Sequence, residues 1–542
     1  MSDEVLVPQV DATAPAPAGH LQRKLQVRHL EMIAIGGTIG TGLLLKSGGA
    51  IYTAGPLGAL ICYIIVGIQG YAVTVALGEM ATLIPVSGAF SHFPGRFVSP
   101  ALGLASGWNY WLNWAVSIPT EMSAIAQFML FWPNPVPSWV WSAMFYVPIA
   151  LVNLISVLSF GEIEFVLSII KVIAVVLFLI VGFCVWFGAG LATGPLWFTN
   201  WKPAIVGETS LNKFLNLASG FTTAFFSYGG TELVGLTAAE ADNPRIAVPR
   251  AINGTFYRIL LFYVAAIFLV GVLLPPNSEI LNPYSQGGIT ESPFVYVWNV
   301  IGIRAAGHIM NIVIIIAILS TVNSAVYACS RTLLRLAEDG DAPSIFKRVS
   351  KRGIPVNATL LSLAFGVAAL IADYADASGQ FFNFLSSLFP AVAWIIISYT
   401  HLRFRRGYIA QGRDLADLPY VAPYFPYLDY ASLTIGFYVI GYMVFSAFYQ
   451  VSVFDANWFT SNSWLYCGYP IIGLMFVFGG WFHGRKSGDG FWAGFKLVPY
   501  EEMDFETDKL VETAEQIAAN AQRDEKPKNP AEWVERIVAK MF

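Results

Sequence analysis

The sequence predicts an all-α membrane protein of twelve transmembrane helices, arranged as a 5+5 inverted repeat with spans 1 and 6 broken, plus two extra spans. Three observations carry this. The chain is 56% hydrophobic, 15% aromatic and only 12% charged, which a soluble domain could not carry without exposing large apolar patches. Apolar stretches of the ~20 residues that cross a bilayer recur along it. Two of them are interrupted by glycine-rich runs, Gly36-Gly37-Thr38-Ile39-Gly40-Thr41-Gly42 and Ser227-Tyr228-Gly229-Gly230-Thr231-Glu232. Free backbone groups are tolerated at membrane depth only where they line a cavity or are buried in protein. Matched breaks therefore point to a binding site at the midplane between two related halves.

Taken in order, the spans are expected near residues 29–50, 56–83, 101–131, 139–158, 163–188, 211–238, 252–274, 306–336, 356–373, 381–402, 430–452 and 465–482. The breaks fall in spans 1 and 6, so the repeat unit has five spans, and an odd number forces opposite orientations. Repeat one covers about 29–188 and repeat two about 211–402, with the extra spans at about 430–482 and cytoplasmic tails at 1–28 and 485–542. With the N-terminus inside, all but five of the 31 lysines and arginines are cytoplasmic; Lys46, Lys202, Lys213 and Arg304 lie outside and Lys171 in the membrane. The positive-inside rule thus puts both termini in the cytoplasm.

Residues 1–20 hold acids, prolines and alanines with no apolar stretch and cleavage site, so the first span is expected to stay as an anchor. The acceptor tripeptides Asn253-Gly254-Thr255 and Asn357-Ala358-Thr359 fall on the cytoplasmic side and should be unused. Cys62, Cys184, Cys329 and Cys467 lie in apolar segments and read as reduced core residues, without metal-ligand spacing. In the tail, Asn529-Pro530-Ala531-Glu532 has the form of a helix start, with Trp533, Ile537, Val538 and Met541 following on one face. A docked cytoplasmic helix and a frayed tail both remain open.

The chemistry concentrates at the breaks. Glycines strip side chains from the first, leaving backbone N–H groups between Ile39 and Gly42 at the positive end of a half-helix, free to accept a carboxylate. Thr38, Ile39, Gly40, Thr41 and Gly42 are the expected contacts. In the second, Ser227, Tyr228 and Gly229 end a half-helix whose carbonyls suit an ammonium, so together the breaks suit a zwitterion. The alternative, that the glycines only let helices pack closely, weakens when two runs match.

Ionisable residues inside apolar spans are functional hypotheses. Lys171, flanked by Ile170 and Val172, is the expected proton carrier; the alternative is a lysine snorkelling to the cytoplasmic surface. Glu121 follows Pro119 in span 3 and suits proton transfer or a cationic substrate, against a neutralised interhelical role. Glu232, directly after the second break, either orients unwound backbone or is structural. Glu79 and Glu240 lie near the cytoplasmic mouth and read as an inner gate or a loop anchor. Asn323 and Ser324 read first as interhelical hydrogen-bonding groups and second as site lining.

The first glycine run, Gly78-Glu79-Met80 before Pro85-Val86-Ser87-Gly88, and Gly161-Glu162-Ile163-Glu164-Phe165 leading to Lys171 resemble fungal amino acid permeases of the yeast amino acid transporter group. So do Gly230-Thr231-Glu232-Leu233-Val234-Gly235, Glu240-Ala241-Asp242-Asn243-Pro244-Arg245 and Val248-Pro249-Arg250-Ala251-Ile252. The resemblance covers residues 25 to 510. It implies the amino acid–polyamine–organocation fold and proton-coupled uptake at the plasma membrane, without a cofactor or metal. Span 3 and residues 153–171 look most like the basic amino acid permeases, and the resemblance implies selectivity-determining side chains at Asn113, Ser117 and Ser386. Leu385-Ser386-Ser387-Leu388-Phe389-Pro390 departs from the glycine-bearing pattern usual there, and Lys46 is unexpected beside the first break.

The expected function is therefore proton-coupled amino acid uptake, with lysine or arginine as substrate and a broad or neutral range as the alternative. A non-transporting amino acid sensor is the alternative of another class, disfavoured by the short segment before span 1. An enzyme lacks a constellation, since the six histidines are scattered. Sodium is the competing coupling ion. The expected partners are the amino acid, the proton, the lipid bilayer and cytoplasmic regulators on the tails, with no nucleic acid.

Overall fold

In the computed structural model, the described residues are 10–11, 25, 27–155, 157–191, 194–241, 243–282, 292–375, 379–449 and 467–511. The tail segment from Asn529 to Met541 lies outside them. The described chain is helical apart from a two-residue parallel ladder, β1 (Val10–Asp11) beside β2 (Leu510–Val511), and two isolated bridges.

The first glycine run ends α1 (Val27–Thr38) with a bend at Ile39-Gly40, followed by a π-helical turn, Gly42–Lys46, and α2 (Ser47–Ala54). Proline at the first turn then starts helix after helix, because its missing N–H is unneeded there. Gly55-Pro56 opens α3 (Pro56–Leu83) and Ser99-Pro100 opens α5 (Pro100–Met129), after the short α4 (Ala89–Phe97). The Ser99 hydroxyl caps α5 by accepting from the Leu102 N–H at 3.3 Å. Next come α6 (Ser138–Asn153) and α7 (Val157–Trp186). The second run ends α8 (Ser210–Tyr228), turns through Gly229 to Glu232, and resumes as α9 (Leu233–Thr237). Asn243-Pro244 opens α10 (Pro244–Leu273) and Ser292-Pro293 opens α11 (Pro293–Val300). The chain continues through α12 (Arg304–Asp339), α13 (Val356–Ala375), α14 (Gly379–Ala410), α15 (Tyr427–Phe448) and α16 (Gly468–Ser487).

Among the described residues, four helical stretches are both long and apolar enough to cross a membrane: 56–83, 160–186, 305–339 and 427–446, with mean hydropathy from 1.4 to 2.9. Burial along α7 shows the solvent for which this surface is built. Val166, Ile169, Ile173, Leu177 and Ile180 are exposed at helical spacing, while Glu164, Ser168 and Lys171 on the opposite face are buried. A helix that turns its apolar stripe outwards and its charges inwards belongs in lipid. This is a multi-pass membrane protein. Cys184 lies on the outer side of α7 and is exposed, so it is not a core residue as expected; Cys62 and Cys329 are buried and Cys467 is half-buried.

At the centre α5 packs along α12, with α4, α13, α14 and α16 around it, while α10 packs along α3 and α1 along α7 and α10. Glu79 is fully buried at the end of α3, paired with Arg405 of α14. It also accepts from the Ala422 N–H at 2.6 Å and lies 3.5 Å from His401 Nε2, whose other nitrogen meets Asp429 at 2.9 Å. Glu79→Gln would leave the Arg405 charge buried without its counter-charge, and is expected to destabilise the protein by about 3–5 kcal/mol. The thermal unfolding midpoint in detergent checks this, and an unchanged midpoint would contradict it.

The chain after α16 forms a strap across this end of the bundle. Arg96 donates to the carbonyls of Asp504 and Thr507 at 2.5 and 2.8 Å, Arg245 to that of Leu510 at 2.7 Å, and Gln411 to that of Met503 at 2.7 Å. Burial pushes the Asp504 carboxyl up, but hydrogen bonds from Thr507 and Glu506 and the charge of Arg96 bring it to about 2. It stays ionised, and paired with Arg96, at any physiological pH.

Candidate functional site

The two breaks meet backbone to backbone. Gly230 adopts φ +102°, a conformation that favours glycine, and a Cβ there would lie 2.6 Å from the Gly37 carbonyl oxygen. A Cβ on Gly42 would lie 2.5 Å from the Ser227 Cα. Tyr263 of α10 clips the crossing, since its hydroxyl lies 2.8 Å from both the Thr38 and the Ser227 carbonyl oxygens.

Beside this crossing is a small cavity, walled by backbone of the two breaks and by side chains of neighbouring helices. Of the residues expected from the sequence, Thr38, Gly40, Gly42, Asn113, Ser117, Glu121 and Gly229 line it. Gly37, Trp114, Phe226, Gly230, Thr321 and Pro390 complete the wall, so α12 and α14 contribute as well as α5 and the two breaks.

The other expected residues with described side chains do not line the cavity. The Ile39 N–H is bonded to the Ile35 carbonyl at 3.0 Å, so the helical bonding of α1 extends one residue further than the glycine run suggests. Thr41 turns its hydroxyl to Glu121 Oε1 at 2.8 Å. The Ser227 hydroxyl meets the Tyr63 hydroxyl at 2.7 Å, and the Tyr228 ring stacks on Tyr263 at 4.6 Å. Glu232 Oε2 accepts from the Gly230 N–H at 3.1 Å and from Trp394 Nε1 at 3.3 Å, which holds the turn from behind. The Ser386 side chain lies outside the described residues. Glu79 is in the α3–α14 pairing already described, and Glu240 pairs with Arg331 at 2.8 Å.

Glu121 is the ionisable group at the cavity. It is 3% exposed, and its Oε2 has no hydrogen-bond partner among the described residues. The charges of Lys46 and Lys171 both act on it. Lys46 leaves the π-helical turn with its ammonium 3.4 Å from the centre of the Phe226 ring, a cation–π contact at the cavity wall. Lys171 donates to the Gly36 carbonyl, one turn before the first break.

Three residues escaped sequence reasoning. Tyr263 and Tyr63 hold the breaks by their hydroxyls, and one tyrosine in an apolar span carries no signal of that. Glu164 did carry a signal. It lies seven residues before Lys171 on one helix, hence on the same face, and is fully buried, accepting from Ser320 and from Asn323 Nδ2 at 3.0 Å.

Comparison with known proteins shows the family of this chain. The amino acid permease family model matches residues 29–491. The chain is 38% identical to the lysine-specific permease LysP of Lactococcus lactis over 504 residues, covering 90% of this chain and 94% of that one. It is 38% identical to the basic amino-acid permease of Saccharomyces cerevisiae over 479 residues, 84% and 83% of the two chains. With the general amino-acid permease GAP1 of the same yeast the identity is 38% over 504 residues, 91% and 81%. A solved structure of MhsT with L-phenylalanine has a TM-score of 0.47 at 14% identity, over 77% of this chain and 97% of that one. With a family match across both breaks and relatives along nearly its whole length, the chain belongs to the amino acid permease family.

Proposed function

We propose that this permease takes up amino acids at the plasma membrane by proton symport, that the substrate binds in the cavity between the breaks, and that lysine or arginine is preferred. The observation that carries the proposal is Glu121, a buried carboxylate at the cavity with one oxygen lacking a donor. Such a group is costly unless it meets a cation or a proton, and a cationic substrate supplies the first. The substrate carboxylate is assigned to the backbone from Gly40 to Gly42, and its ammonium to the carbonyls at the Gly229 turn. Lys171 is the proton carrier, and Glu79 and Glu240 with their arginines close the inner side. The twelve spans, the inverted repeat and the domain limits given above belong to the same proposal. The ladder of β1 with β2 supports placing both termini on one face, the cytoplasmic one, where regulators would meet the tails.

Lys46 favours a second reading. Its charge already acts on Glu121 from the cavity wall, and a resident cation there suits a neutral or broad substrate range. The relatives' names divide the same way, between lysine-specific or basic permeases and a general one. Competition for labelled lysine uptake separates the two. The cationic reading expects arginine to displace lysine and leucine or phenylalanine to fail, and expects Glu121→Gln to lose that preference. Equal displacement by leucine, or an unchanged preference in Glu121→Gln, would replace it with the broad range.

A further inference from the structure

The buried charges behind α1 form a closed arrangement. Lys171 and Glu164 lie two turns apart on one face of α7, and both side chains converge on Gly36. The lysine ammonium donates to the Gly36 carbonyl, and a Cβ on Gly36 would collide with Glu164 Oε1 and the Ser168 hydroxyl. The carboxylate is anchored elsewhere. Ser320 and Asn323 of α12 donate to its two oxygens, and the Asn323 amide is itself oriented by Asn153 Nδ2 of α6 at 2.8 Å. The Ser168 hydroxyl binds the Met32 carbonyl of α1 at 2.9 Å, with only a 3.5 Å contact to Glu164. Glu164 is thus fixed to α12, while Lys171 is bonded to the helix that breaks.

Few other charges address the pair. Lys171 feels Glu164 and, from α5, Glu121. The nearby groups of α12 and α6 are the uncharged Ser320, Asn323, Ser324 and Asn153. From α1, His29 is turned to Glu162 at 3.1 Å. From α10, the Tyr263 hydroxyl is engaged by the two carbonyls at the crossing.

Resting on the proton-symport reading, we infer that the coupling unit of this permease is the Glu164–Lys171 pair, with Glu164 as the positioning counter-charge that sets the acidity at which Lys171 loads. A proton from outside converts the Lys171 amine to ammonium and makes the pair neutral. Its release to the inside leaves the amine and one carboxylate anion, whose charge the donors from α12 still satisfy. Because the ammonium bond ends on Gly36, movement of the broken helix and loss of the proton are one event.

The test compares Glu164→Gln with the double variant Glu164→Gln, Asn323→Asp, which returns the anion to the same hydrogen bond from the α12 side. Labelled uptake is read against external pH, alongside exchange at equal pH and surface amount. In Glu164→Gln half-maximal uptake is expected to move to more acidic pH by about one to two units, the effect of losing an adjacent opposite charge. Exchange is retained, and the double variant restores the wild-type profile. A wild-type profile in Glu164→Gln overturns the assignment. If Glu164→Gln fails to reach the surface, the double variant decides, since an expressed double variant with a persistently acid-shifted profile overturns it too. A wild-type protein with no acid dependence overturns instead the symport reading beneath it.

Discussion

Gly40→Val is expected to abolish uptake while surface expression stays near normal. A Cβ at residue 40 would lie 2.7 Å from Thr321 Oγ1, 3.3 Å from Thr321 Cγ2 and 3.4 Å from Glu121 Oε1. Thr321 has little room to yield, because its hydroxyl is bonded to the Ala317 carbonyl in its own helix at 3.2 Å. The two further methyl groups of valine would enter the cavity where the proposed function seats the substrate carboxylate. The atoms that a Cβ at residue 40 meets, on Thr321 and Glu121, both belong to the cavity wall, so the loss is expected in binding ahead of folding. Saturable uptake of labelled amino acid, normalised to surface protein, is the check; normal uptake would separate the first break from substrate recognition.

The second large effect is expected at Lys171. Replacing it with Met keeps the length and removes the titrating group, so accumulation driven by external acid should vanish while exchange across the membrane persists. The side chain is 1% exposed and its ammonium bridges α7 to the Gly36 carbonyl. On the proposed mechanism, no proton then accompanies the movement of α1, while the proposed substrate contacts at the breaks are left in place. Concentrative uptake by Lys171→Met in response to acid would move coupling to another group, with Glu121 the next to examine.

Both breaks were legible because glycine runs stand out against apolar sequence, and local backbone chemistry dictates what they do. Their crossing was not, since Gly37 meeting Gly230 and Gly42 meeting Ser227 are contacts between residues almost two hundred positions apart. Glu164 was missed for a different reason. The expected fifth span began at residue 163, which put Glu164 at its edge, whereas α7 begins at Val157 and carries it two turns inside. Helix boundaries are the weakest part of a pattern reading, and here a shift of six residues turned a boundary acid into a buried one. Glu79 was legible as a residue near the end of its span, but its partners Arg405 and Ala422 come from a distant part of the chain, and pairing at that range leaves no local pattern. Lys46 stood out in the sequence, yet its seat over Phe226 and its action on Glu121 required the fold.

Reconstitution into sodium-free liposomes tests the central claim most directly. Purified protein is given an inward proton gradient, and the accumulation of labelled lysine and leucine is followed with and without a protonophore. Symport through this site predicts concentrative uptake that requires the gradient, collapses with the protonophore, and is absent in Gly40→Val. Accumulation that ignores the proton gradient and appears only when sodium is added would contradict it.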